Sequence, residues 1–220
     1  MRCPWCHNRE LVIGRTPNLS GMEEGLEYAR KRRPVLGGIV LSGGEPCLRE
    51  DLPQIISEIK KIPLSIKLDT NGMFPLMLEA LFSREETRPD YIALDLKLAP
   101  ARYYELFPAE AEYMDPGEEL KKSASLIRES GITHEYRTIA LPFFRRSDLE
   151  PSKDGYVTGE DIEALSPLAD SSPWYFRPFT GGNCLDSAWN GLQEPPEEAL
   201  ARAKKLAKRA MELEKNAIVP

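Results

Sequence analysis

Two cysteines, Cys3 and Cys6, stand in the opening stretch MRCPWCHN. A C-x-x-C pair supports three kinds of chemistry: a dithiol redox couple, half of a tetrahedral zinc site, or two ligands of an iron–sulfur cluster. A thioredoxin-like couple needs a strand in front of the motif. A zinc site built on Cys3, Cys6 and His7 needs a fourth ligand at ordinary spacing, and the only other histidine is His134. The two remaining cysteines, Cys47 and Cys184, are isolated, so the four do not form a disulfide framework. In a reducing compartment they read as free, catalytic or metal-bound.

Further candidates lie at the ends of apolar runs. GGIVLS leads into Gly43-Gly44-Glu45-Pro46, where two glycines let a ligand approach the backbone amides and Glu45 can hold an ammonium group. A plain Gly-Gly turn explains the same residues. LSIKLD leads through Asp69 into Thr70-Asn71-Gly72, which also reads as an Asn-Gly turn or a helix cap. Asp95 and Lys97 are harder to set aside. Two positions apart, they share one face of a strand, and a buried carboxylate and ammonium are costly unless paired or bound to a ligand. Arg137, inside EYRTIALP, is another charge in an apolar strand and suits a carboxylate or phosphate.

These positions matter because parallel α/β folds bind ligands at the carboxyl ends of their strands. Apolar runs occupy 37–42, 64–69, 91–96, 135–142 and 174–179, and helical periodicity fills 21–32, 50–61, 75–82, 118–130 and 159–169. The segment 196–214 carries Leu200, Ala203, Leu206, Ala207, Ala210 and Leu213 on one face. Strand alternating with helix predicts a parallel sheet with helices packed outside it, although periodicity does not say whether the sheet closes. The expected division is one domain over 1–194, with an amphipathic helix in 195–220 packed upon it. The stretch 142–158 is the least regular and reads either as a loop closing over a site or as a surface excursion.

At 220 residues and 41% hydrophobic content, the chain is large enough for one α/β domain. Its formal charge of -6 argues against general nucleic-acid binding, and the run Arg30 to Arg33 reads as a solvated helix end. No apolar run reaches the roughly 18 residues of a membrane span and no signal peptide is visible, so a cytoplasmic protein is expected.

Taken in order, CPWCHN, SGGEP, DTNG and LDLK resemble the radical S-adenosylmethionine (SAM) superfamily. Within it they look like the activating enzymes of glycyl-radical enzymes, those of anaerobic ribonucleotide reductase and of pyruvate formate-lyase. KLDTNG, YIALDLK and EYRT followed by proline are most similar to the anaerobic ribonucleoside-triphosphate reductase type. The resemblance runs from Cys3 to about Phe179. It implies a partial parallel (β/α)6 TIM-like barrel whose mouth holds a 4Fe-4S cluster on three cysteines, with SAM on the fourth iron. It also implies reductive cleavage of SAM to a 5′-deoxyadenosyl radical, hydrogen abstraction from a partner enzyme's glycine, and a flavodoxin- or ferredoxin-like electron donor.

Carried over by position, Cys3 and Cys6 match the second and third cluster ligands, and Trp5, Cys6 and His7 the nucleoside side. Gly43, Gly44 and Glu45 match the segment receiving the methionine amino group, with Asn71 among the cofactor contacts. Lys97 matches a lysine approaching the methionyl carboxylate, and Arg137 an arginine near ribose and carboxylate. In the pyruvate formate-lyase relatives, Asp69 and Asp95 match a monovalent cation site. The sequence departs from the pattern in two places. The motif C-x-x-x-C-x-x-C requires a cysteine four residues before Cys3, so the expectation is a chain that starts late, without its first strand and one ligand. Thr180 also stands where the pyruvate formate-lyase relative has a histidine. Cys47, near a helix start, is the better-placed substitute thiolate and Cys184 the worse. A different radical SAM reaction, on a small molecule or nucleoside, and an inactive fragment both stay open, since cofactor motifs do not identify what receives the radical.

Overall fold

The computed structural model describes residues 3, 5–14, 21–107, 110–140, 159–192, 194–195 and 197–217, with side chains through 212 in the last helix. The described residues form one parallel sheet of five strands in sequence order: β1 (Gly38–Leu41), β2 (Ser65–Thr70), β3 (Tyr91–Asp95), β4 (Thr133–Ala140) and β5 (Trp174–Pro178). Parallel strands laid down in order by right-handed crossovers send their helices to the same side of the sheet. The crossover helices are α3 (Leu52–Lys60), α4 (Pro75–Phe82), α5 (Pro116–Ser130) and α6 (Gly159–Leu165); α2 (Met22–Arg32) precedes β1, α7 (Glu197–Ala217) follows β5, and a single turn, α1 (Arg9–Val12), follows the cysteine pair. Among the described residues β1 and β5 each pair on one side only, so the sheet is an open, partial barrel.

The two faces of the sheet differ sharply, and the alternation in SIKLDT shows why. Ile66, Leu68, Ile92, Leu94 and Tyr136 are fully buried in the core cluster that takes in residues of α3, α4 and α5. On the opposite face the register sets Lys67 beside Tyr91, Ala93 beside Glu135, Asp95 beside Arg137, and Arg137 beside Tyr175. One rung of charged groups closes on itself there. Lys67 Nζ donates to Glu135 Oε1 at 2.7 Å, and Tyr91 Oη donates to Glu135 Oε2 at 3.0 Å.

The element boundaries depart from the periodicity for local reasons. Helix α5 starts at Pro116 rather than at 118, because the Asp115 carboxylate accepts from the Gly117 and Glu118 amides at 2.9 and 3.2 Å and proline suits the first turn. A β-carbon on Gly117 would lie 2.3 Å from the Pro100 carbonyl oxygen, so only glycine lets α5 meet the turn after β3 this closely. The predicted helix over 50–61 begins at Leu52, with Pro53 in its first turn, behind a separate 3-10 turn at Pro46–Leu48. The helix predicted over 159–169 is α-helical only to Leu165; Pro167 lies in the 3-10 turn Ser166–Leu168 that ends it. Strand β4 begins at Thr133, two residues before its predicted start. Helix α7 packs Ala203 and Ala207 against Ile162 and Phe176. The 142–158 stretch lies outside the described residues.

Candidate functional site

The cysteine pair is held by contacts from distant parts of the chain. The Cys6 amide donates to the Cys3 carbonyl at 3.0 Å, closing a turn. Asn8 Nδ2 donates to the Gly43 carbonyl at 3.0 Å, tying this turn to the loop after β1. Gly43 has φ +122°, a left-handed conformation that suits glycine. Asn183 Nδ2 reaches the His7 carbonyl at 3.4 Å. Between these tethers Trp5 is only 5% exposed, its ring 5.3 Å from that of Trp189, which in turn meets Phe179 edge-on at 5.9 Å. Fully buried Cys184 belongs to the same cluster. Trp5 is thus a core residue here, whereas His7 is exposed.

Glu45 is tied down on several sides. Its Oε1 accepts from the Cys47 amide at 3.1 Å and from Thr70 Oγ1 at 2.8 Å, and its Oε2 accepts from the Asn71 amide at 2.8 Å. The carboxylate therefore latches the exit of β1 to the exit of β2, and Asn71 Oδ1 extends the lock by accepting from the Met73 amide at 3.0 Å. Burial raises the Glu45 pKa, while these hydrogen bonds pull it back down. Cys47 is the small buried thiol that is the ordinary role for such a cysteine, not a substitute ligand. It is 3% exposed within the main core, and burial, helped by the Glu45 charge, pushes its thiol well above the ordinary range. Among the described residues, no group of three His, Cys, Asp or Glu side chains is placed to hold a metal ion, so neither Cys47 nor Cys184 completes a set with Cys3 and Cys6.

Two acids and two bases meet at the ends of β2, β3 and β4. Lys97 Nζ bonds Asp95 Oδ2 at 3.1 Å. Arg137 donates through Nε to Asp95 Oδ1 and through Nη1 to Asp69 Oδ2, each at 3.0 Å, and its Nη2 also lies 3.0 Å from Asp95 Oδ1. Formal charge balances at zero. Of the four carboxylate oxygens three are engaged; Asp69 Oδ1 is buried and has no hydrogen-bond partner among the described residues. Burial pulls the Lys97 pKa down, but Asp95 and the nearby Cys3 more than offset this, so the ammonium stays charged above the ordinary lysine value. Cys3 lies within electrostatic reach of Lys97: burial raises its thiol pKa and the ammonium opposes that rise.

Of the residues predicted from sequence, the fold brings Cys3, Asp69, Asp95, Lys97 and Arg137 into one electrostatic group, and Gly43, Glu45 and Asn71 into the adjoining lock. Arg137 does not stand free to await an anion; it clamps two carboxylates. Trp189, Asn8 and Asn183 carried no sequence signal, because a tryptophan or asparagine in a loop is ordinary until its partner is known. A hollow of about 470 Å³ lined by Arg33, Gly37, Pro63 and Ser65 lies at the opposite, amino-terminal ends of β1 and β2, away from this chemistry.

Residues 1–154 match the Radical SAM superfamily. Across 217 residues, 95% of this chain and 81% of the relative, the chain is 26% identical to a Methanocaldococcus jannaschii protein named "Putative glycyl-radical enzyme activating enzyme". Over 74 residues, a third of each chain, it is 32% identical to the 7-carboxy-7-deazaguanine synthase of Aquifex aeolicus. In structure it resembles a radical SAM methyltransferase from Sphaerobacter thermophilus with a TM-score of 0.63 and 17% identity, over 94% of this chain and 60% of that one. The shared fold is the open parallel sheet described above, and the match over 1–154 takes in the cysteine turn, the Glu45 lock and the charge group on β2, β3 and β4. The chain belongs to the radical SAM superfamily.

Proposed function

We propose that this radical SAM enzyme is an activating enzyme that installs a glycyl radical on a partner enzyme. The observation that carries the reading is the meeting of the cysteine turn with a buried lysine–aspartate–arginine–aspartate group at the strand ends, in a chain similar along nearly its whole length to the M. jannaschii protein. Membership of the family implies a 4Fe-4S cluster and SAM. The described residues supply two of the three thiolates such a cluster takes, and no described third completes the set. Two thiols lie at the sheet's carboxyl end beside a buried cation, and Asp69 Oδ1 is a buried acceptor still open to a ligand. When bound, the two groups supply a carbon radical able to take hydrogen from a glycine Cα.

Cys3 and Cys6 hold iron in this reading. Gly43, Gly44 and Glu45 face the methionine amino group, and Lys97, with only one of its three protons engaged by Asp95, faces the carboxylate. Trp5, His7 and Asn71 line the nucleoside side, with Trp5 acting through the edge of a packed ring. Arg137 bridges Asp69 and Asp95 and, with Lys97, offsets their charge. A monovalent cation beside these two acids has one open oxygen to bind, Asp69 Oδ1. The electron comes from a flavodoxin- or ferredoxin-like protein, and the substrate is a glycyl-radical enzyme of the anaerobic ribonucleotide reductase or pyruvate formate-lyase type.

Anaerobic iron–sulfur reconstitution followed by electron paramagnetic resonance, with and without SAM and then with each candidate partner, tests this reading. A SAM-sensitive 4Fe-4S signal and a glycyl-radical doublet on one partner are expected. A SAM-sensitive signal without a doublet favours a second reading, chemistry on a small molecule or nucleoside, which the 74-residue likeness to 7-carboxy-7-deazaguanine synthase supports. Loss of any SAM-sensitive signal removes both readings.

A further inference from the structure

We infer that two buried hydroxyls, those of Tyr103 and Thr138, are positioning residues that fix the Asp95–Leu96–Lys97 segment and thereby set the affinity for SAM. The inference rests on the proposed reading of Lys97 as the residue that meets the cofactor carboxylate.

Where β3 ends, the chain leaves the sheet and enters a 3-10 turn, Pro100–Glu105. Such an exit is ordinarily the loosest part of a strand, yet this one carries both charges of the Asp95–Lys97 pair. Both peptide groups between Asp95 and Lys97 are held at their N–H and their carbonyl. Tyr103 Oη accepts the Lys97 amide proton at 2.9 Å and points its own proton at the Asp95 carbonyl, 3.4 Å away. Thr138 Oγ1 donates to the Leu96 carbonyl at 2.6 Å, while the Leu96 amide donates to the Arg137 carbonyl at 2.8 Å. Tyr103 thus bridges both backbone ends of the acid–base pair, and Thr138 holds the residue between. Both side chains are fully buried, and Lys97 is 5% exposed.

Neither hydroxyl sits on the reacting face by way of a charge, and neither is needed to fill space. The Tyr103 ring packs against Phe107 at 6.0 Å, and a phenylalanine would keep that contact. What a phenylalanine would lose is the acceptor for a buried amide, which then has no partner and leaves the strand exit that carries Lys97 free to shift. Thr138 also accepts from Trp174 Nε1 at 2.9 Å, so its hydroxyl is shared between the core and the Lys97 segment.

The test compares Tyr103→Phe, Thr138→Val and the control Phe107→Leu, which loosens the same packing without touching a hydrogen bond to the segment. Each variant is reconstituted anaerobically, assayed for iron and titrated with SAM. Amide hydrogen exchange at Lys97 is followed in the cluster-free chain. Tyr103→Phe is expected to keep its iron, to exchange the Lys97 amide faster, and to bind SAM about tenfold more weakly, the loss of one hydrogen bond's worth of orientation. Thr138→Val should weaken binding in the same direction and answers the question if Tyr103→Phe does not fold. Equal affinity in wild type and both hydroxyl variants overturns the inference, as does an equal loss in Phe107→Leu. If wild type itself binds no SAM, the functional reading falls and takes this one with it; if wild type binds and the variants match it, only the hydroxyl lock is wrong.

Discussion

Removing the Arg137 guanidinium offers the sharpest test of the charge group, because the outcome does not depend on any cofactor. Arg137→Met keeps much of the side chain's length and deletes three donors. Asp69 then loses its one engaged contact, and Asp95 keeps Lys97 alone. The side chains of Asp69, Asp95 and Arg137 are 15%, 28% and 19% exposed, so they are neither deep in the core nor screened like surface pairs. Breaking a buried pair by deleting one partner costs roughly 3–5 kcal/mol, and the partial exposure of Asp95 places this case at about 3 kcal/mol. In a domain of this size each kcal/mol moves the melting midpoint by about 2–4 °C, which gives a fall of about 6–12 °C. The measurement is thermal and urea unfolding of the anaerobically purified chain, with Asp69→Asn made alone and in the Arg137→Met background. If two carboxylates facing each other without the arginine cause the loss, Asp69→Asn should recover a good part of it in the double variant, although it is itself destabilising in the wild-type chain. Simple additivity of the two losses would refute the reasoning, as would an Arg137→Met midpoint within error of wild type.

Lys97→Met should behave in the opposite way, costing less stability than Arg137→Met, because Arg137 still compensates Asp95, and weakening SAM binding in a calorimetric titration by tenfold or more, on the order of one charge-assisted hydrogen bond. Trp189→Ala should cost about 3 kcal/mol and lower the iron retained on reconstitution, with Trp189→Phe recovering most of both, because the ring that backs Trp5 is what holds the cysteine turn. Burial tends to raise the Glu135 pKa, but the bonds from Lys67 and Tyr91 outweigh it and hold the carboxyl below its ordinary value. Its contribution to stability is therefore present above the unfolded value near 4.5 and is lost as pH falls through the folded one. Glu135→Gln should flatten the acid limb of a stability-against-pH profile; an unchanged acid limb would show that the rung formed by Lys67, Tyr91 and Glu135 contributes nothing there.

Strands show either short apolar runs, as in GGIVLS and YIALDL, or apolar residues alternating with polar ones, as in LSIKLD, which is why these segments were legible as strands. Spacing pointed to the pairing of Asp95 with Lys97, but for a different reason from the one that holds it: β3 ends at Asp95, and Lys97 meets it from the exit segment rather than along a strand face. The partner of Arg137 could not be read from spacing. It depends on the register of β2 on β3 and of β3 on β4, and a slip of one residue would have turned the guanidinium into the core. Tyr103 and Trp189 were illegible for a related reason: one buried aromatic looks like another until the fold supplies its hydrogen-bond partner or its ring neighbour. Position near a helix start suggested which end of the sheet Cys47 occupies, and only residue type, a small thiol that is commonly buried, pointed to the core position it takes.

The two cations of the charge group have different capacities left over, and this separates their roles. The planar fork of Arg137 is pinned: Nε, Nη1 and Nη2 all lie at 3.0 Å from carboxylate oxygens, which engages three of its five N–H groups and fixes its orientation. Lys97 carries three protons on a rotatable ammonium and uses one of them on Asp95. It is also the cation within electrostatic reach of Cys3. In the proposed reading an incoming carboxylate at this end of the sheet therefore finds its donor in Lys97 and a fixed wall in Arg137. A monoanionic carboxylate can take up the unused Lys97 protons, whereas a dianion such as a phosphate would add more charge to a group that is already balanced.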